Sequence, residues 1–77
     1  MDSFTTLQSR ELHLGLLQGI DVTLYADAGY THEQMREIRI GLENGLNAEK
    51  YANKKFTWQQ MKAIRENLEY EALRTKI

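Results

Sequence analysis

Apolar and polar positions along this chain return at a fixed interval of 26 residues. Phe4, Tyr30 and Phe56 keep that interval, as do Leu12, Ile38 and Ile64, and Leu16, Leu42 and Leu68. The polar positions follow the same rule, in Thr5, Thr31 and Thr57 and in Gln8, Gln34 and Gln60. A period in this range marks stacked supersecondary units, each burying its apolar face only against its neighbours. The pattern predicts a single all-α helical-repeat domain over residues 1–77, about two and a half units at 4–29, 30–55 and 56–77.

Each unit opens with an aromatic residue followed by Thr-x-x-Gln. That spacing predicts a capping box, in which the Thr hydroxyl accepts from an early helix N–H and the Gln side chain reaches back. The aromatic and Met35 or Met61 stand at the two ends of a hydrophobic staple. Met35, Ile38 and Leu42, and then Met61, Ile64, Leu68 and Ala72, follow at helical spacing. Arg39–Glu43, Lys62–Glu66 and Arg65–Glu69 are four apart and support the exposed faces weakly. Gly19 and Gly45 end the first two long helices as C′ glycines. Asp21 and Asn47 read as N-caps of shorter helices, Val22 to Ala26 and Ala48 to Ala52, whose Tyr25 and Tyr51 pack back on the long ones. Glu71 replaces the stop glycine in the last copy, so the final helix is expected from Trp58 to about Arg74. The chain thus reads long, short, long, short, long, five helices in all.

The outer copies are more polar. Leu14 and Ile40 become Glu66, and Met35 and Met61 are matched by Ser9, as capping copies of a soluble stack require. Gly15 and Gly41 lie inside long helices, where each costs roughly 1 kcal/mol relative to Ala. Close approach by the following unit is the expected reason, and Asn67 in the last copy agrees with it.

Composition narrows the class. With 77 residues, 42% hydrophobic and 27% charged, the chain has room for one small soluble domain. It has no cysteine for a disulfide and no proline, in keeping with helices and short connections. Neither a signal peptide nor a membrane span is expected, and cytoplasmic location is the default. The net charge of −1 hides an asymmetry. Asp2, Glu11, Asp21 and Asp27 face a lone Arg10 before Thr31, whereas Lys50, Lys54, Lys55, Lys62 and Arg65 fall in a stretch without an acid. Such an end suits an acidic partner.

Chemistry is sparse. His13 and His32 sit on different units and lack metal-site spacing. The serines and threonines have no His/Asp partners nearby, and the glycines fit helix packing and capping rather than a phosphate loop. Neither an enzyme, a cofactor nor a metal is expected. The helix–glycine–helix segment Gly19 to Ala26 resembles a helix-turn-helix, but its second helix carries no Arg or Lys. Lys54, Lys55, Phe56 and Trp58 do interleave charge and aromatics as single-strand binders do. Trp58, matched by Thr6 and His32, is expected to be at least partly exposed, where Trp often anchors an interface. The candidate contact residues are Lys50, Lys54, Lys55, Trp58 and Lys62.

The segment from Gln34 to Asn53 reads Gln-Met-x-x-Ile-Arg-x-Gly-Leu-Glu-x-Gly-Leu-Asn followed by Tyr-Ala-Asn. It resembles the short helical repeats found in tandem in phage and conjugative-element proteins of gut Firmicutes. The first copy keeps Gly15, Leu16, Gly19, Ile20, Asp21, Val22, Tyr25 and Ala26; the third keeps Gln60-Met61, Ile64-Arg65 and Leu68-Glu69 and loses both glycines. The resemblance implies the fold and a mobile-element origin, and no mechanism. The reading is a non-catalytic protein-binding module for a host or viral protein, its sharpest form an inhibitor of a host defence protein such as a CRISPR nuclease. The alternatives are nucleic-acid binding through the basic Lys50–Arg65 end and a self-associating structural repeat that stacks head to tail.

Overall fold

Three Thr-x-x-Gln boxes begin three α-helices. The computed structural model describes residues 3–75 and places α1 at Thr6–Leu17, α2 at His32–Glu43 and α3 at Trp58–Arg74. Every box closes as the spacing predicts. The N–H groups of Gln8, Gln34 and Gln60 each donate to the preceding Thr Oγ1 at 3.1 Å. Each Gln Oε1 accepts the Thr N–H in return, at 2.8, 2.8 and 2.9 Å.

Gly19 and Gly45, both at φ 73°, end α1 and α2 in the left-handed region that glycine tolerates. Ile20 N–H reaches back to Gly15 O (3.2 Å) and Gly19 N–H to Leu16 O (3.1 Å). Leu46 and Gly45 repeat these bonds to Gly41 O and Leu42 O, so both ends are Schellman motifs.

The two shorter helices expected after these stops do not form as helices. Val22–Leu24 and Ala48–Lys50 are single turns of 3₁₀-helix, so among the described residues there are three α-helices rather than five. Five residues offer too few intrahelical bonds to offset nucleation. The following tyrosine also leaves helical geometry, at φ −126° for Tyr25 and −127° for Tyr51. Asp21 caps its turn by accepting from Thr23 N–H at 3.0 Å, whereas Asn47 makes no side-chain cap.

That departure swings each tyrosine back onto the long helix before it. Both rings are fully buried, and their hydroxyls donate to Glu11 O (2.8 Å) and Glu37 O (2.6 Å). A Cβ at Gly15 or Gly41 would run into the hydroxyl of Tyr25 or Tyr51. The mid-helix glycines are therefore explained by the tyrosine of their own unit, not by the approach of the following one.

Tyr25, Tyr30, Met35, Ile38, Ala48, Tyr51 and Met61 form the core, with Leu12, Leu42, Ile64 and Leu68 packed against it. Burying an apolar side chain of this size stabilises by roughly 1.5–3 kcal/mol. Leu16 departs from its counterparts Leu42 and Leu68, which pack against the core: it is 63% exposed. α1 packs on α2 and α2 on α3, giving a slab of 46 × 26 × 15 Å.

The long helices run parallel, as their cross-links show. Gln8 Nε2 donates to Tyr30 O (2.6 Å) and Ala28 O (3.2 Å) ahead of α2. Gln34 Nε2 repeats this with Phe56 O (2.7 Å) and Lys54 O (3.4 Å) ahead of α3. Halfway along, Arg39 Nε meets Glu11 Oε1 at 2.8 Å, and Arg65 Nε meets Glu37 Oε1 at 2.9 Å. Each guanidinium also holds the carboxylate four residues on, Glu43 at 2.7 Å and Glu69 at 2.8 Å. Burial works against both guanidiniums, and the hydrogen bonds to their carboxylates more than offset it.

Candidate functional site

The connection between the second 3₁₀ turn and α3 is built by short-range hydrogen bonds. Asn53 Oδ1 accepts from Lys55 N–H at 2.9 Å, and Asn53 O accepts from Phe56 N–H at 3.1 Å. This is an Asx-type turn, which Asn favours because its side chain mimics a backbone carbonyl. The Gln34 amide then pins Lys54 O and Phe56 O to the start of α2. Thr57 starts α3 at once, so Trp58 is its first helical residue.

Between the N-terminal turns of α2 and α3 lies an open groove of about 340 Å³. Glu33 and Gln34 line one wall; Lys54, Lys55, Phe56 and Trp58 line the other. Three of the five residues singled out in the sequence thus meet in one place. Trp58 is half-buried, as its position implied, and Lys55 is exposed. Lys50 and Lys62 are exposed but lie outside the groove, Lys50 on the 3₁₀ turn and Lys62 further along α3.

Lys54 is not a free cation. Its ammonium donates to Asp27 Oδ2 at 2.5 Å and stands 5.7 Å from the Tyr30 ring centre. The Asp27 bond holds the ammonium above its ordinary pKa. Lys54, with help from Gly29 N–H, holds the Asp27 carboxyl below the usual carboxylate range. Arg65 is committed as well, to Glu37 and Glu69. The acid-free run from Lys50 to Arg65 is therefore partly neutralised in space, by Asp27 and Glu37 from earlier in the chain and by Glu69 beyond it. Lys50, Lys55 and Lys62 are its cations without a carboxylate partner among the described residues.

Sequence reasoning missed the Glu11–Arg39 and Glu37–Arg65 bridges. The signal was present: Glu11 and Glu37 keep the 26-residue interval, and so do Arg39 and Arg65. It also missed the second duty of Gln8 and Gln34. A capping box accepts Glu or Gln at that position, but only the amide can donate onward to a carbonyl.

Among the described residues, no three His, Asp or Glu side chains come close enough to hold a metal ion. No helix among them is long and apolar enough to cross a membrane. Comparison with protein-family models, with curated proteins and with solved structures finds no match to this chain.

Proposed function

We propose that this chain is a non-catalytic protein-binding module, a stack of about two and a half helical units of 26 residues. The stack reading is supported by contacts that recur at the same interval: the Gln amide to the next unit, the Tyr hydroxyl within each of the first two units, and the Glu–Arg bridge between units. Within it, each of the first two repeats is a long helix and a 3₁₀ turn rather than a helix pair, and the last is a long helix.

One observation carries the binding reading. The groove between α2 and α3 offers Trp58, Phe56 and Lys55 on a backbone already fixed by the Gln34 amide and the Thr57 cap. A Trp beside a cation on a preordered edge is the arrangement from which interface anchors are made, because little backbone freedom is lost on docking. The partner that suits it presents an acidic, partly apolar surface. Inhibition of a host defence protein, such as a CRISPR nuclease, is the narrower form; it rests on the sequence resemblance alone.

Nucleic-acid binding is the weaker alternative, since Lys54 and Arg65 are already paired and phosphate binding draws on free cations. The test is affinity capture from a bacterial lysate, with and without nuclease, using the chain and its Trp58→Ala/Lys55→Glu variant. A discrete protein retained after nuclease and lost with the variant supports the reading. Capture that disappears with nuclease moves the function to nucleic acid, and capture indifferent to the variant removes this groove from the site.

A further inference from the structure

α1 differs from the other two helices on its outer side. Leu7 is 51% exposed and Leu17 67%, with Leu14 half-buried between them on the same stripe. At these positions α2 carries Glu33, Ile40 and Glu43, and α3 carries Gln59, Glu66 and Glu69. The apolar surface is therefore a property of one helix and not of the repeat. Large side chains left this open in one patch mark a surface made to be covered.

The patch opens into a groove between α1 and α2, about 330 Å³ in volume, lined by Leu7, Arg10, Glu11, Leu14, Arg36 and Arg39. Its floor is spent, since Glu11 and Arg39 hold each other and Arg39 also holds Glu43. Arg10 and Arg36 are exposed and have no carboxylate partner among the described residues. They are equivalent residues on adjacent parallel helices, so they stand on opposite walls, about one interhelical spacing of 8–10 Å apart.

We infer that this groove docks an acidic amphipathic helix, with apolar side chains against Leu7, Leu14 and Leu17 and carboxylates clamped by Arg10 and Arg36. The inference rests on the reading of the chain as a binding module, but on a different surface from the Trp58 groove. Charge selects the occupant. A second copy laid face to face would set Arg10 and Arg36 against their own counterparts. A nucleic-acid backbone would satisfy the two guanidiniums but leave three leucines unused. An acidic helix satisfies both guanidiniums, which favour carboxylates in bidentate geometry, and covers the leucines in the helix-in-groove mode.

The experiment is fluorescence polarisation of the full chain with a labelled amphipathic peptide of about 18 residues, long enough to form a helix. It would carry leucines at i, i+3, i+7 and i+10 and glutamates on the flanks. Saturable binding is expected, weakened about tenfold or more by Arg10→Glu/Arg36→Glu and by Leu7→Ser/Leu17→Ser. Trp58→Ala should leave it unchanged. All four substituted side chains of the α1–α2 surface are exposed, and circular dichroism checks that each variant keeps its helices. A scrambled peptide of the same composition binding equally well would overturn the inference. So would displacement by a single-stranded oligonucleotide, or indifference to the arginine variant. Loss of this binding would leave capture through the Trp58 groove standing, and the reverse also holds.

Discussion

Replacing Gly41 by Ala sets two effects of opposite sign against each other. On helix propensity alone the change stabilises by about 1 kcal/mol. In this fold the new methyl has nowhere to go. A Cβ at Gly41 would lie inside the Tyr51 hydroxyl, 3.1 Å from Tyr51 Cζ and 3.5 Å from Ala48 Cβ. The Tyr51 ring is fully buried and its hydroxyl is anchored on Glu37 O at 2.6 Å, so it cannot swing into solvent. Overpacking of this kind costs about 1–3 kcal/mol. Forcing the hydroxyl off Glu37 costs about 0.5–1.5 kcal/mol more. After the propensity gain, Gly41→Ala should destabilise by about 2 kcal/mol. For a domain of this size that lowers the Tm by roughly 8–16 °C.

The assay is denaturant and thermal unfolding followed by far-ultraviolet circular dichroism, run as a double-mutant cycle with Tyr51→Phe. Alone, Tyr51→Phe should cost about 1 kcal/mol for its lost hydrogen bond. In the Gly41→Ala background it removes the clashing oxygen and should restore stability. The sign reversal is the signature. Gly15→Ala should cost more than Gly41→Ala, because its Cβ would also meet Val22 Cγ1 at 2.7 Å and Ile20 Cδ1 at 3.3 Å. A Gly41→Ala chain as stable as the parent, or more so, would refute the packing account and leave propensity in charge.

Three further outcomes are expected. Gln34→Glu keeps the capping box but turns a carboxylate oxygen toward Phe56 O, where the amide now donates at 2.7 Å; it should cost about 2 kcal/mol near neutral pH. Because the carbonyl raises the folded-state pKa of that new carboxyl, the loss should shrink as pH falls through it, which urea midpoints across pH would register. Arg65→Met strands the 8%-exposed Glu37 side chain and should destabilise by about 3 kcal/mol, whereas the double variant with Glu37→Gln should recover part of this in the same unfolding assay. Burial pushes the Tyr25 phenol from 10.0 up to about 12, and Tyr51 is raised further by the same cause. The unfolded chain therefore releases these protons first, and stability present below pH 10.0 should be lost as pH rises toward about 12, Tyr25 alone accounting for roughly 3 kcal/mol. Tyrosinate absorbance rising together with loss of helicity would register it; ionisation of all tyrosines near pH 10.0 with the helices intact would refute it.

What was legible in the chain was the part encoded by local spacing. Thr-x-x-Gln fixes each helix start because the two partners lie within one turn, and Gly19 and Gly45 fix two ends because few other residues adopt φ 73° cheaply. Trp58 to Arg74 follows from the missing stop at Glu71. Contacts made 22 to 28 residues apart were harder to read. The periodicity showed that Gln8 and Gln34 recur, but not that their amides look forward to the next unit. It showed Gly15 and Gly41 as costly, but not which side chain fills the space, since Tyr25 and Tyr51 return to their own helix only because the turn before them stops at three residues. The basic run misled for a related reason. Counting charges along the chain separates Lys54 from Asp27 and Arg65 from Glu37, and the fold brings each pair together.

The same bridges bear on head-to-tail assembly. Inside the slab, each junction pairs a carboxylate on one helix with a guanidinium on the next, Glu11 with Arg39 and Glu37 with Arg65. A contact between α3 of one copy and α1 of another would place Ala63 where the carboxylate stands and His13 where the guanidinium stands. It would also offer Ser9 where Met35 and Met61 are fully buried. Such a junction keeps the Gln60 amide but lacks both the ion pair and the methionine that hold the internal ones. Each internal junction forms within one chain, whereas a junction between copies must also offset the loss of translational and rotational freedom, at least about 4 kcal/mol. With less to gain and more to lose, continuation of the stack is the weaker use of this surface. The grooves at Trp58 and at Leu7–Leu14 are different in kind, since each carries a residue that its counterparts lack: Trp58 stands where the other copies have Thr6 and His32, and Leu7 where they have Glu33 and Gln59. That is where a scaffold made of copies would be expected to carry its specificity.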